Sequence, residues 1–208
     1  LGWSFHGDID TFNYVLNMDV KWDFAMIQLN YVDWRHASRN NHAEYLYNEL
    51  AKRNIPVNIM EPLLGGRLSK MADHLVARLK QRRPNDSVAS WAFRFAGHHP
   101  GVLTVLSGMT YKEHLIDNLK TFSPHEPLTD EELEFLEETA QLYKQYPIVD
   151  CNDCKYCMPC PYGIDIPGIL LHYNKCVNEG NVAKSSQDPN YAKARRAYLV
   201  SYDRTVEK

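Results

Sequence analysis

Four cysteines at a strict three-residue interval, Cys151-Asn-Asp-Cys154-Lys-Tyr-Cys157-Met-Pro-Cys160, followed by Pro161, carry the densest chemistry in the chain. Thiolates packed this closely point to a metal site, because a two-residue spacer lets a short turning backbone aim successive sulfurs at one centre. The run is close to C-x2-C-x2-C-x3-C-P, a spacing that ligates iron–sulfur clusters, but its last spacer is two residues. Where that spacing serves two clusters the fourth cysteine ligates the other one, so Cys151, Cys154 and Cys157 are stronger candidates than Cys160. A four-cysteine zinc site uses the same donors but pairs two C-x2-C knuckles across a longer spacer; unliganded or disulfide-bonded thiols are the third reading. The fifth cysteine, Cys176, falls in a stretch that reads as helix, as a small buried hydrophobe or a spare ligand.

The elements that position these groups are of two kinds. Before the cysteines, short β-type runs alternate with longer amphipathic stretches, which predicts parallel βα units and an α/β class. Strands are expected over residues 1–4, 22–29, 55–60 and 102–106, and helices over 8–16, 41–52, 68–82, 87–96 and 111–120. Asp8 or Asp10 caps the first helix, and Arg83-Pro84-Asn85-Asp86 divides the third from the fourth, with Asp86 starting the latter. Thr129-Asp-Glu-Glu132 is a capping box opening a helix that ends at Pro147, with Leu133, Leu136, Ala140 and Tyr143 on one face. After the cysteines, Asp165-Ile166-Pro167 starts a helix, 178–190 reads as a polar loop, and 191–202 is an amphipathic helix with a basic side that includes Arg195 and Arg196. Two unequal domains are expected, 1–148 and 149–208.

With 208 residues, a net charge of −3 and an isoelectric point near 6.3, the chain has no electrostatic footprint for nucleic acid. No stretch has the apolar length of a membrane span, and no secretory signal is visible. Cysteines clustered for metal favour a reducing, cytoplasmic setting. The chain does not begin with Met and its first residues read as a buried strand, so it is expected to be a piece of a longer protein.

The expected strand ends read Gly2-Trp3-Ser4, Gln28, Glu61-Pro62-Leu63-Leu64-Gly65-Gly66 and Ser107-Gly108-Met109. In this order they resemble the second half of an aldo/keto reductase barrel, over roughly residues 1–146. The resemblance implies that Ser4 and Gln28 hold a nicotinamide carboxamide. It places Pro62, Leu63, Gly65 and Gly66 at the cofactor pyrophosphate, and Gly108, Glu113, Leu115 and Asn118 in the G-x-x-x-x-E-x-L-x-x-N pattern at the adenosine phosphate. His114 stands where many members have an arginine for the 2′-phosphate. Phe5, Met60 and Glu61 replace the family's asparagine, stacking aromatic residue and serine at their positions. Together with Tyr156-Cys157-Met158-Pro159-Cys160-Pro161 and Gly163-Ile164-Asp165-Ile166-Pro167, Met60 to Leu63 resemble a subfamily of oxidoreductases in which such a barrel precedes a ferredoxin-like tail.

The fold so implied is four parallel βα units, half of a TIM (β/α)8 barrel, followed by a small, mainly α-helical iron–sulfur segment. The cofactors implied are a [4Fe–4S] cluster on Cys151, Cys154, Cys157 and Cys160 and NAD(P)H at the barrel. A small-molecule substrate and a redox partner protein are implied by the same resemblance. The family's catalytic Asp, Tyr, Lys and His lie on the first four strands, so no catalytic residue is assigned in this chain and little carbonyl reductase activity is expected from it alone. Two open sheet edges imply self-association or a lower stability than that of a closed barrel. His6 could titrate as an acid or base or be a plain surface residue, Glu61 could be a base or a cap, and His98 and His99 read as a turn. A zinc-stabilised interaction module and an inactive barrel fragment are the alternatives.

Overall fold

The computed structural model describes residues 1–37, 42–145, 148–149, 151, 153 and 155–206. Four short strands, β1 (Gly2–Ser4), β2 (Phe24–Gln28), β3 (Val57–Met60) and β4 (Val102–Val105), form one sheet in the order β1-β2-β3-β4. Every pairing is parallel: Ser4 is opposite Met26, Gln28 opposite Met60, and Ile59 opposite Val105, with an irregularity between Val57 and Asn58. Parallel neighbours need a long return path, and helices supply it. They are α1 (Ile9–Leu16) after β1, α2 (Asp33–His36) and α3 (Ala43–Lys52) after β2, α4 (Asp73–Arg82) and α5 (Val88–His98) after β3, and α6 (Lys112–Phe122) after β4. The next helix is α7 (Asp130–Gln145).

Alternation along the strands decides which face is covered. Ala25, Ile27, Val57 and Ile59 are sealed from solvent, while Met26, Gln28, Asn58 and Met60, one residue out of phase, are half-buried. Phe12 and Leu16 of α1, Ala43, Leu46 and Leu50 of α3, and Leu75 and Leu79 of α4 complete the core. α5 is buried continuously from Ser90 to Ala96 and carries Trp91, Phe93 and Phe95. Truncating one of those rings to alanine would cost about 3–5 kcal/mol. Its Arg94 is only 5% exposed; Asp86 at 3.4 Å and Glu126 at 3.8 Å compensate the charge.

Local chemistry sets the helix starts. Asp8 accepts the Thr11 N–H at 2.8 Å, so Asp8, not Asp10, is the first cap. Ser87 accepts the Ser90 N–H at 3.0 Å and starts α5; Asp86 is drawn instead to Arg94, Arg83 and Lys120. The capping box forms in both directions, Glu132 N–H to Thr129 Oγ1 at 3.2 Å and Thr129 N–H to Glu132 Oε2 at 3.1 Å. The helix expected over 68–82 is two pieces, a 3-10 turn at Arg67–Ser69 and α4 from Asp73. α2 is an element the periodicity missed: four residues are too few to show a period. His98 and His99 are no simple turn, since α5 runs through His98 and His99 stacks on Trp34 with ring centroids 4.4 Å apart.

The chain divides into two compact units, Leu1–Lys144 and Gln145–Lys208. In the second, α8 (Ile166–Asn178) and α9 (Tyr191–Val206) pack on each other through His172, Cys176 and Ala194. Asp165 caps α8 by accepting the Gly168 N–H at 3.0 Å. No helix among the described residues is long and apolar enough to cross a membrane.

Candidate functional site

Parallel strands in sequence order leave all their C-terminal ends on one rim, and the loops leaving that rim collect polar and glycine residues from distant parts of the chain. Ser4 ends β1 and is exposed; its Oγ lies 3.0 Å from His6 Nε2. Between them Phe5 turns inward, 5% exposed, against Trp3 and Phe12. Gln28 ends β2 and is half-buried beside Met60 at the end of β3.

The loop after β3 folds into consecutive tight turns. Glu61 (φ 54°), Leu64 (φ 51°), Gly65 (φ 67°) and Gly66 (φ 90°) are all left-handed. Leu64 N–H donates to Glu61 O at 2.9 Å, Gly66 N–H to Leu63 O at 3.0 Å, and Leu68 N–H also to Leu63 O at 3.0 Å. The two non-glycine residues carry strain of about 1–3 kcal/mol each, which surrounding contacts must hold. Pro62 and Leu64 supply part of that by being buried.

Asn30, which sequence reasoning did not single out, supplies another part. It is fully buried just beyond β2. Its Oδ1 accepts the N–H groups of Val32 (3.0 Å) and Asp33 (2.8 Å), and its Nδ2 donates to Asp33 Oδ2 (3.0 Å) and to Glu61 O (3.1 Å). One side chain thus ties the loop after β2 to the left-handed turn after β3. The signal was present as Asn30-Tyr-Val-Asp33, an Asx residue followed by a short helix start. Glu61 therefore serves first through its backbone carbonyl; its carboxylate is half-buried.

At the fourth strand end, Asn118 Nδ2 donates to Ser107 Oγ at 2.9 Å and pins α6 to the loop that precedes it. His114 Nδ1 accepts the Thr110 N–H at 3.4 Å, a long bond that leaves Nε2 to carry the ring proton when the imidazole is neutral. Gly108 is exposed, not left-handed, and a Cβ built on it would meet nothing within 4 Å. Neither backbone conformation nor packing within the chain asks for glycine there. At Gly66 the space is equally open, but φ 90° favours glycine by itself.

The cysteine run lies in the second unit. Cys154 lies outside the described residues. Cys151 and Cys160 are half-buried, Cys157 is exposed, and none of the described cysteines is in a disulfide. The run reverses through left-handed Asp153 (φ 59°) and Lys155 (φ 62°) and a turn from Met158 N–H to Lys155 O at 2.9 Å. Its start is fixed by Asn174 of α8, whose side-chain amide accepts the Val149 N–H and donates to Val149 O, both at 2.8 Å. Among the described residues, no three His, Cys, Asp or Glu side chains converge as metal ligands. The donor chemistry of the run suits a thiophilic metal; the described sulfurs are not gathered to hold one. Cys176 is 1% exposed, its Sγ 3.6 Å from His172 Nε2. That nitrogen also meets Tyr198 O at 3.1 Å. A carbonyl can only accept, so Nε2 is the donor there and cannot deprotonate the thiol. The burial of Cys176 fits its reading as a small buried hydrophobe. Arg195 and Arg196 are exposed, a solvated face of α9.

The sequence profile described as Aldo/keto reductase family matches residues 2–141. Among solved structures, the holo form of the aldo-keto reductase AKR11C1 from Bacillus halodurans is 19% identical with a TM-score of 0.50, over 66% of this chain and 49% of that one. An aldo-keto reductase from Klebsiella pneumoniae in complex with NADPH is 18% identical with a TM-score of 0.48, over 68% of this chain and 47% of that one. The chain spans about half the length of these structures. A comparison with curated proteins gave no match. At such identities the likeness is one of fold: the four βα units correspond to part of the enzymes' barrel.

Proposed function

The chain belongs to the aldo/keto reductase family, and on that premise we propose that its barrel portion binds a nicotinamide nucleotide along the rim of β1 to β4 for the oxidation or reduction of a small molecule. Ser4 and Gln28 would hold the carboxamide, Pro62, Leu63, Gly65 and Gly66 the pyrophosphate, and Gly108, His114 and Asn118 the adenosine phosphate. When bound, NAD(P)H supplies the hydride; the chain's own part is to position it. The observation that carries this reading is that Ser4, Gln28, the turn at 62–66 and Gly108 fall at, or just after, the C-terminal ends of one parallel sheet, with Asn118 bonded to Ser107 of the last of these loops, at the end where barrel enzymes keep their chemistry. Gly108 is consistent with it, since a group approaching the backbone would account for a glycine that neither φ nor packing requires. With histidine at 114, no permanent positive charge faces a 2′-phosphate, so discrimination between NADPH and NADH is expected to be small. Titrating each nucleotide into the chain and following its fluorescence tests the reading. Saturable binding supports it, and absence of binding by both nucleotides sinks it.

The cysteine run supports a finer reading, a [4Fe–4S] cluster on Cys151, Cys154, Cys157 and Cys160 in a segment spanning 149–208, which would pass electrons to a redox partner. What favours it is the ligand chemistry: four thiols in one short run, with those described free of disulfides. It also favours a reducing, cytoplasmic setting. Anaerobic purification should give a brown protein with iron and acid-labile sulfide in near-equal amounts. A colourless protein with bound zinc would assign the run to a structural zinc module instead, and metal-free protein would reject both. The open β1 and β4 edges further suggest that copies of the chain associate, which sedimentation across a concentration series would test.

A further inference from the structure

We propose that His6 is a positioning residue that fixes the Ser4 hydroxyl for the amide group of a ligand at the rim of the sheet, an inference that rests on the nucleotide reading above. The backbone stays extended beyond β1, because the Phe5 N–H donates to Met26 O at 2.9 Å and prolongs the ladder. Side chains alternate along such a segment, and Phe5 has only one place to go: the buried cluster with Trp3 and Phe12, whose ring centroids lie 5.8 and 5.1 Å from its own. Ser4 and His6 are therefore turned out together, and their polar atoms meet at 3.0 Å.

The far side of His6 is held as well. Gly7 passes so close to the Phe5 ring that a Cβ there would lie 3.1 Å from it, and Asp8 is fixed as the cap of α1. The imidazole thus sits on a short bridge between two anchored points.

An isolated surface serine has a freely turning hydroxyl, whose rotamer and proton must both be ordered when a ligand binds. The imidazole removes that freedom beforehand. If Nε2 is unprotonated, Ser4 O–H donates to it and Oγ offers lone pairs to an amide N–H. If Nε2 carries the proton, it donates to Oγ and Ser4 O–H is released toward an amide carbonyl. In both forms the hydroxyl presents a defined polarity, and bonds in such a chain reinforce one another. An exposed pair of this kind adds little to folding stability, so its purpose is better sought in binding.

The test is equilibrium binding of NADPH to the chain and to its Ser4→Ala, His6→Ala, doubly substituted and His6→Asn forms. 2′-Phospho-ADP-ribose, which keeps the adenine end and lacks the nicotinamide, is titrated in parallel. His6→Ala is expected to weaken NADPH binding about fivefold to tenfold. The double variant should bind no more weakly than Ser4→Ala alone, and His6→Asn, which can still hydrogen-bond to the serine, should recover most of the loss. All forms should bind 2′-phospho-ADP-ribose alike. Unchanged NADPH binding by His6→Ala, additive losses in the double variant, or an equal loss for 2′-phospho-ADP-ribose would overturn the assignment while leaving the nucleotide reading in place. Failure of the unsubstituted chain to bind either NADPH or NADH would overturn both.

Discussion

Single side chains in this protein do their work by where they are fixed, and two of them allow direct tests. His99 is half-buried, its ring against Trp34, Tyr47 and Phe95. Burial first, and the neighbouring His98 second, lower its pKa from 6.5 to about 4. The folded state therefore favours neutral His99. Its stabilising contribution is complete above pH 6.5, the ordinary value, and is lost as the pH falls toward 4. His125, also lowered by burial and by Arg94, acts in the same direction. Urea unfolding should show stability falling by up to about 3 kcal/mol from pH 7 to pH 4.5. Arg35 beside Glu44 and Arg83 beside Glu132 hold both carboxyls below the ordinary 4.5, so their contribution is complete above that value and is lost only as the pH falls below it. His99→Phe should flatten much of the slope, and an unchanged slope would remove His99 as its source. Gly108 is the second case. Because a Cβ there meets nothing, Gly108→Ala should leave the unfolding free energy within about 0.5 kcal/mol of the original and weaken nucleotide binding at least severalfold. Loss of stability without loss of binding would show that its glycine serves the fold.

At the scale of elements, strands too short to stand alone are secured by the loops and helices beyond their ends. β1 has three residues and β4 four, so Asn30, Asn118 and the capped starts of α1 and α5 carry much of the definition of the rim. The cysteine run is secured in the same manner. Asn174 offers Val149 both halves of an amide, imitating one rung of a sheet. Asn174→Ala should speed hydrogen exchange at the Val149 amide by about tenfold while exchange within α8 is unchanged. A uniform increase throughout α8 would mean that Asn174 supports the helix and not the loop.

Within the first unit, the exposed apolar residues beside β4 are the dominant fact. Leu103, Leu106, Met109, Tyr111, Leu115, Ile116 and Leu119, all on β4, the loop after it or α6, are exposed. So large an apolar flank seeks a cover. If copies of the chain associate as proposed, replacing Ile116 with Lys and Leu119 with Glu should reduce that association, seen as a lower weight-average mass in sedimentation, with the thermal midpoint nearly unchanged. Persistent association would move the contact to the β1 edge.

The α/β class, the four strands and the capping box at Thr129 are legible in the chain's own pattern, because periodicity and caps are local properties recorded in neighbouring residues; the consecutive strand order was implied only by the resemblance to a half barrel. Given that order, the rim positions of Ser4, Gln28 and the turn at 62–66 follow: strands that run parallel in sequence order must end on one side. The break between the 3-10 turn and α4, the preference for Ser87 over Asp86 as a cap, the packing of His99 on Trp34 and the role of Asn30 depended on partners from other parts of the chain. Asp86 could be taken from its cap only by Arg83, Arg94 and Lys120, and Asn30 became a tie only when Glu61 arrived 3.1 Å away. Pairings of that kind arise from the return of the chain across the sheet, and residue type and spacing along one segment cannot encode them.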